Sequence, residues 1–494
     1  MTKREGAAIT VDGTDGGSTR LVARRIGIIG AGPAGLAAAR MFMDENTRAR
    51  SAASSDAPSL PFQSVTVFDR NSSIGGVWNY TQEARCHYNV PQASPERAVA
   101  QGFDERCTVT GSLPTPMYDV LHANLTKDVM QFADFPFPSS APDFPARRHV
   151  LEYIRDYADA NVLVHEKQPE FSLHLDTEVV DLAYSVDEAQ WMCKVRHLGD
   201  GSPPEMSEYF FDAILVCVGQ CSHPFIPDIP GLGELSAQAP GRVIHAKEYR
   251  RAADFAGRSV LVIGGSASAS DISRQLSYTA SAVHVSTKEI HKDAVYFTPT
   301  IGNGCNPSTP FHLHPPIARF AEDMVVFEDG TSIATPEVII FATGYLALYP
   351  FIRQVQPLPP FDPRPFSNLD GANDLYKHMV YAPNPLLAVI SLPTKTVPFS
   401  LSEYQAMYLA QVYQGNIRLP PIAQMLDMWQ EVLKKPHPYL LGMDQIPYRN
   451  AIVDEIAAAA SKGLTRPPRF GHVPEYWADL GEYTLTRRLE RFGY

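Results

Sequence analysis

Residues 25–36, Arg25-Ile26-Gly27-Ile28-Ile29-Gly30-Ala31-Gly32-Pro33-Ala34-Gly35-Leu36, constrain the fold more than any other stretch of the chain. The aliphatic and glycine positions before Gly30 predict a short buried strand, and the run from Leu36 to Met43 predicts a helix. Between them the glycines fall at Gly30, Gly32 and Gly35, with Ala31, Pro33 and Ala34 completing the turn. Strand, turn and helix in this order are the opening unit of a dinucleotide-binding α/β fold. Gly30 permits the tight turn, Gly32 lets the backbone approach a pyrophosphate, and Gly35 lets helix pack on strand. The helix start then offers N–H groups and a partial positive charge to phosphate.

The 494 residues leave room for two or three domains, and 45% hydrophobic residues are enough to bury full cores. A net charge of −12 with no long basic run argues against a nucleic-acid or anionic membrane surface. No run of about 18 apolar residues is present, so no membrane span is expected. The six cysteines show neither metal-ligand pairs nor a disulfide ladder, and with no signal peptide at the start of the sequence a reduced, cytoplasmic setting is expected. Proline is enriched, 42 of 494 residues, against a background of about 5%, which predicts long ordered connections.

Residues 1–20 are polar and read as a disordered tail. Asn46 to Phe62 lacks periodicity and reads as an inserted surface loop. The next strand, Val65 to Asp69, ends on an acid. Asp69 stands 39 residues after Gly30 (69 minus 30), where about 20 is usual for the carboxylate that holds a ribose; the insert accounts for the surplus. Arg70 and the sequence Gly75-Gly76-Val77-Trp78 follow, a glycine pair and an aromatic that let backbone lie against a flat ligand. The segment Pro116 to Lys127 contains Asn124, the one side chain there that both donates and accepts. A helix is expected over Val150 to Ala158, strands from Thr177 to Val195, and one buried parallel strand from Phe210 to Gly219.

The proline-punctuated stretch His223 to Gly231 marks a domain boundary, after which the pattern restarts. Ser259 to Ile263 reads as a strand, Gly264-Gly265-Ser266-Ala267-Ser268-Ala269 as a turn, and Asp271 to Tyr278 as a helix. The following strand, Ala282 to Lys288, ends without an acid, and Ser, Thr and Lys288 there suit a 2′-phosphate, so NADP is favoured over NAD. Residues 298–316 read as loop, Val325 to Thr331 as a hairpin with an Asp-Gly turn, and Val338 to Tyr345 as a buried strand ending on Ala342-Thr343-Gly344. Ser400 and Glu403 have the spacing of a capping box before a helix through Ala406 and Leu409.

Two such turns about 230 residues apart point to one flavin and one nicotinamide, and over roughly residues 22–415 the chain resembles the flavin-containing monooxygenases. The likeness rests on Gly30 to Gly35, the acid with Gly75 to Trp78, the Asn124 segment, the second turn, and Phe341 to Tyr345. The family's identifying motif is matched at Gly241, His245 and Tyr249, with Ala239 in place of its leading Phe.

The resemblance implies an α/β fold of two Rossmann-like domains, the NADPH domain inserted in the FAD domain. The expected division is a tail over 1–20, the FAD domain over 21–235 and 346–494, and the NADPH domain over 236–345. It implies that NADPH reduces FAD, that O2 forms a C4a-hydroperoxyflavin, and that an amine nitrogen or sulfur of a small metabolite takes one oxygen. By the same resemblance Asn124 contacts the flavin peroxide and nicotinamide region, Val179 lies near the FAD adenine, and Gly219 belongs to the flavin site. The helix start at Ser400 faces the flavin pyrimidine, His245 and Tyr249 shape the domain junction, and the protein is a homodimer. Alternatives on the same scaffold are Baeyer–Villiger oxygenation of a ketone, a thiol–disulfide flavoenzyme using Cys217 and Cys221, and a flavin-holding protein without turnover.

Overall fold

The computed structural model describes residues 8–11, 17–52, 59–82, 88–94, 98, 114–198, 205–288, 311–352, 366–367, 371–474 and 477. It divides into two units, each built from separated stretches of chain.

The first unit comprises Met1–Asn79, Thr126–Gln220 and Ala347–Ala478. Its core is a seven-stranded sheet with Arg25–Ile29 between Ser64–Phe68 on one side and Ala213–Val216 on the other, all parallel. The sheet continues to Phe171–His174 at one end and through Leu387–Val389 to an antiparallel edge at the other. Ile26 to Ile29 is buried throughout, as the apolar run of a central parallel strand must be, with Arg25 partly buried at its start. The helix Pro33–Ala52 follows the first turn with proline at its first position, where the missing N–H costs nothing. A separate three-stranded antiparallel sheet, Thr177–Ser185, Gln190–His197 and Glu205–Phe211, branches from this unit.

The second unit comprises Tyr80–Leu125 and Cys221–Leu346 among described segments. Its five-stranded sheet is wholly parallel, with Ser259–Ile263 between Ala282–Ser286 and Val338–Phe341. The same plan therefore occurs twice: a central strand feeding a glycine turn and a helix, with a parallel neighbour on each side. Among the described residues no helix is long and apolar enough to cross a membrane.

Several sequence expectations change. The helix Pro33–Ala52 absorbs the first part of the supposed insert. Asn46 is fully buried and exchanges two hydrogen bonds with the Phe62 backbone, at 2.8 and 3.0 Å, and Arg50 reaches Gln168 and Glu170. Tertiary partners thus hold helix where periodicity is lacking; residues 53–58 lie outside the described segments. Within the supposed tail, Ala8–Val11 pairs antiparallel with Thr19–Val22. Phe210 to Gly219 is not one strand. Phe210 and Phe211 end an antiparallel strand, and Asp212 breaks the run because its carboxylate takes the backbone N–H groups of Arg24 and Arg25 and the Arg25 guanidinium.

In the supposed loop 298–316, Phe311–His314 is a parallel edge strand; residues 298–310 are outside the description. The hairpin at Asp329-Gly330 is present. The strand at Val338 stops at Phe341, and Tyr345–Leu346 pairs separately with His223–Pro224. The second helix begins at Ala267, so Ala267, Ser268 and Ala269 are its first turn. Residues 80–125, expected in the FAD domain, group with the second unit, and the boundary falls at Gln220 instead of 235.

No capping box forms at Ser400. The helix spans Pro398–Tyr413, which puts Ser400 inside its first turn, and Glu403 is fully buried and points to other partners. Proline at the first position sets the start three residues earlier than the Ser-x-x-Glu spacing suggests.

Candidate functional site

In the first unit the site residues converge at the carboxyl ends of three adjacent strands. Gly30 takes φ +109°, and a Cβ there would lie 2.5 Å from the Cys217 carbonyl oxygen on the neighbouring strand end. A Cβ on Gly35 would lie 1.7 Å from the Gly30 oxygen, so helix and strand touch through backbone alone. Gly32 and Gly76 meet back to back: a Cβ on Gly76 would come within 2.9 Å of the Gly32 Cα. Gly75 N–H donates to the Ala31 carbonyl at 3.0 Å, joining the second glycine pair to the first turn.

Asp69 is buried beside this turn. Its Oδ2 accepts from Ala31 N–H at 2.6 Å, and its Oδ1 from the backbone and side-chain amides of Asn71 at 2.8 and 2.9 Å. Burial pushes its carboxyl above the ordinary range against the pull of these donors. With three of about four acceptor positions used, Asp69 shapes the turn. The sequence did not reveal this duty, nor Asn71 as its partner. Burial likewise lowers Arg70, while Asp69 and Glu178 oppose it. Trp78 stands edge-on to Phe399 at 6.4 Å, Val179 is buried in its antiparallel strand, and Gly219 adopts φ +69° with nothing near a Cβ. Gly219 is thus required by conformation, not by packing.

The second unit repeats the construction. Gly264 takes φ +145°, and its Cβ would lie 2.5 Å from the Ala342 carbonyl oxygen. Ser266, Ala267 and Ser268 are exposed at the helix start, and Ser266 makes no side-chain cap. Lys288 is exposed just beyond Ala282–Ser286, and Thr343 and Gly344 follow Val338–Phe341 and bond to Phe225. Asn124 is exposed and belongs to this second unit.

His245 and Tyr249 are core residues of the second unit. Tyr249 donates to Gln275 Oε1 at 3.0 Å and stacks near Phe255. His245 accepts from Lys247 N–H through Nδ1 at 3.1 Å and lies almost wholly buried beside the Gly344 backbone. Burial pushes its pKa down to about 3. A histidine depressed in the folded state stabilises fully above its unfolded value near 6.5, and that stability is lost as pH falls toward 3. Taken alone, this group lowers stability by about 2 kcal/mol between pH 7 and 5. In urea unfolding a His245→Gln variant should therefore be more stable at pH 5, relative to its own value at pH 7, than wild type by about that amount.

Both helices that follow the glycine turns lack an acid in their first turn. A helix start leaves N–H groups with no intrahelical acceptor, one fewer in the first helix because Pro33 has none. Each cradle therefore fits the diphosphate of a dinucleotide. Burial raises both Cys217 and Cys221, so neither is a ready thiolate, which argues against the thiol–disulfide alternative. Among the described residues no group of three or more His, Cys, Asp or Glu could hold a metal.

Two parallel sheets, each with a diphosphate cradle at the carboxyl end of its central strand, define a flavoprotein oxidoreductase with two dinucleotide-binding folds. The chain belongs to the flavin-binding monooxygenase-like family, which matches residues 109–292 and 309–459. It is similar to Flavin-containing monooxygenase FMO GS-OX5 of Arabidopsis thaliana, 29% identical over 459 residues, covering 89% of this chain and 86% of that one. FMO GS-OX-like 6 of the same plant is 31% identical, covering 82% and 75%. The structure of S-allyl-L-cysteine S-oxygenase from Allium sativum matches with a TM-score of 0.69 at 27% identity, covering 95% and 93% of the two chains. The protein is accordingly an enzyme, an FAD- and NADPH-dependent flavin monooxygenase.

Proposed function

We propose that the substrate is the thioether sulfur of a small polar metabolite, with a sulfoxide as product. The observation that carries this is the likeness, over 95% of the chain, to an enzyme whose described substrate is S-allyl-L-cysteine. The balance is thioether, O2, NADPH and a proton to sulfoxide, NADP+ and water. In this reading Gly30 to Gly35, Asp69, Arg70, Gly76 to Trp78, Val179 and Gly219 hold FAD. Gly264, Ser266 to Ser268, Lys288 and Ala342 to Gly344 hold NADPH, with Lys288 toward the 2′-phosphate. Asn124 serves as donor and acceptor at the reacting centre.

The flavin, when bound, supplies the two-electron and oxygen chemistry. The chain's own part is to anchor two diphosphates on helix starts, to fix the flavin's ring with backbone and Trp78, and to exclude water. Asn124 contributes hydrogen bonds without proton exchange, since an amide does not titrate. A homodimer and a cytoplasmic location go with this reading.

The test is a product assay with the purified holoenzyme under labelled O2, offering S-allyl-L-cysteine, a tertiary amine and a cyclic ketone separately. The expected result is a sulfoxide carrying one labelled oxygen, with one NADPH consumed per product. Oxygenation of the amine alone would overturn the sulfur assignment, and lactone formation would put the Baeyer–Villiger alternative in its place.

A further inference from the structure

We propose that Tyr118 and Asp271 are positioning residues that make the Asn124 segment part of the dinucleotide-reading body, so that dinucleotide binding at the second glycine turn orders residues 114–125. The proposal rests on the reading of Asn124 and of the Gly264 turn given above.

The helix that starts over the second cradle, Ala267–Leu276, carries Asp271 at the beginning of its second turn. The Asp271 carboxylate has three donors. Arg274 Nη2 at 2.8 Å and Gln275 Nε2 at 3.0 Å come from its own helix. The third is the hydroxyl of Tyr118, which lies six residues before Asn124 and is only 6% exposed. A hydroxyl donating to a carboxylate that is only 13% exposed makes one of the stronger hydrogen bonds available to a protein. It is the bond that passes directly from the Asn124 segment to the helix.

The rest of the segment is fastened to the same body. The Tyr118 ring stands edge-on to Tyr249 at 5.4 Å and joins the core that contains Val260, Ile272 and Ile340, with Leu121 packed against it. Asp119 N–H donates to the Arg250 carbonyl at 3.0 Å. Arg250 is itself buried and donates mostly to backbone carbonyls, with one bond to the Thr81 hydroxyl at 3.2 Å. It donates to the carbonyls of Thr81 at 2.7 Å and Thr115 at 3.0 Å, and to those of Lys247 and Tyr249 at 2.9 Å each. Arg250 therefore holds both Thr81 and Thr115.

Anion binding at the helix start restrains the first turn, Ala267 to Ser270. Asp271 is the next residue, and its own helix supplies its other two hydrogen bonds. The carboxylate therefore moves with the helix, and the Tyr118 hydroxyl follows the carboxylate.

Hydrogen exchange on the purified holoenzyme with and without NADP+ tests this, using peptides over 264–276 and 114–125. Wild type should gain protection at both. Tyr118→Phe should keep the gain at 264–276 and lose it at 114–125. NADPH KM should stay within about twofold, while peroxide released per NADPH consumed rises on the order of tenfold, the size one charge-assisted hydrogen bond supports. Asp271→Asn, which retains an oxygen acceptor for Tyr118, should keep most of the coupling. A purely structural role would lower the melting temperature of both variants without separating the two peptides. Unchanged protection at 114–125 in Tyr118→Phe would overturn the coupling alone. No protection at 264–276 in wild type would overturn the dinucleotide reading, and the coupling with it.

Discussion

Gly35→Ala is expected to abolish flavin binding and cost several kcal/mol of stability, because the new methyl would sit 1.7 Å from the Gly30 carbonyl oxygen. The clash is between a Cβ, fixed by the backbone, and a backbone oxygen, so no side-chain rotation relieves it, and the helix Pro33–Ala52 must lift from the strand Arg25–Ile29. That helix buries Leu36, Met41, Phe42 and Met43. Separating it gives up about 1.5–3 kcal/mol for each large side chain exposed. Gly32→Ala separates fold from function at the same turn. Its Cβ meets nothing closer than the Gly76 Cα at 3.4 Å, so the apoprotein should melt within a few degrees of wild type. The methyl would nevertheless stand where the backbone is meant to approach the diphosphate, and FAD occupancy should fall at least tenfold. The check is the ratio of flavin to protein absorbance, taken together with the melting temperature of each apoprotein. Equal flavin content in Gly32→Ala and wild type would refute the assignment of this turn to FAD.

What was legible in the sequence is what depends on local chemistry. The glycines at 30, 32 and 35 form the turn and helix start after the first central strand, the acid ends the strand beside it and Gly264 opens the second turn, since each glycine states a backbone requirement that few other residues meet. What depends on distant partners was not legible. Asn46 is an ordinary loop residue by composition, and only its bonds to Phe62 show why helix continues there. Asp212 ends one strand and starts another because Arg25 lies beside it, 187 positions earlier in the chain. The Ser400 spacing suggested a cap, but Pro398 sets the helix start and Glu403 faces Arg40, 363 positions away. Tyr118 carried no signal at all, because its meaning depends on Asp271, 153 positions later.

Glu403→Ala is the second substitution with a large expected effect, a loss of about 3–5 kcal/mol. Glu403 is wholly buried on the helix Pro398–Tyr413 and has three donors: Arg40 at 2.9 Å, the Ala133 N–H at 2.6 Å and the Tyr157 hydroxyl at 2.9 Å. Truncation leaves an amide, a hydroxyl and part of a guanidinium without their acceptor. Arg40 keeps Asp134, which Arg469 also holds, so the damage centres on Glu403's own contacts. The double variant Arg40→Met/Glu403→Gln removes both charges while keeping an oxygen for Ala133 or Tyr157, and it should recover at least half of the loss. Burial pushes the Glu403 carboxyl up to about 7. The folded state therefore holds this proton more tightly than the unfolded chain, whose value is near 4.5. The group's contribution falls as pH rises from about 4.5 to 7 and is level above, a loss of about 2 kcal/mol between pH 5 and 8. His245 acts in the opposite sense, losing stability below about 6.5. Urea midpoints across pH 5–8 should therefore show wild type with a shallow maximum, His245→Gln with stability still declining toward pH 8, and the double variant without that decline. If the double variant retained the alkaline decline in full, the titrating group would lie elsewhere and the charge of Glu403 would not be what ties the helix to Arg40.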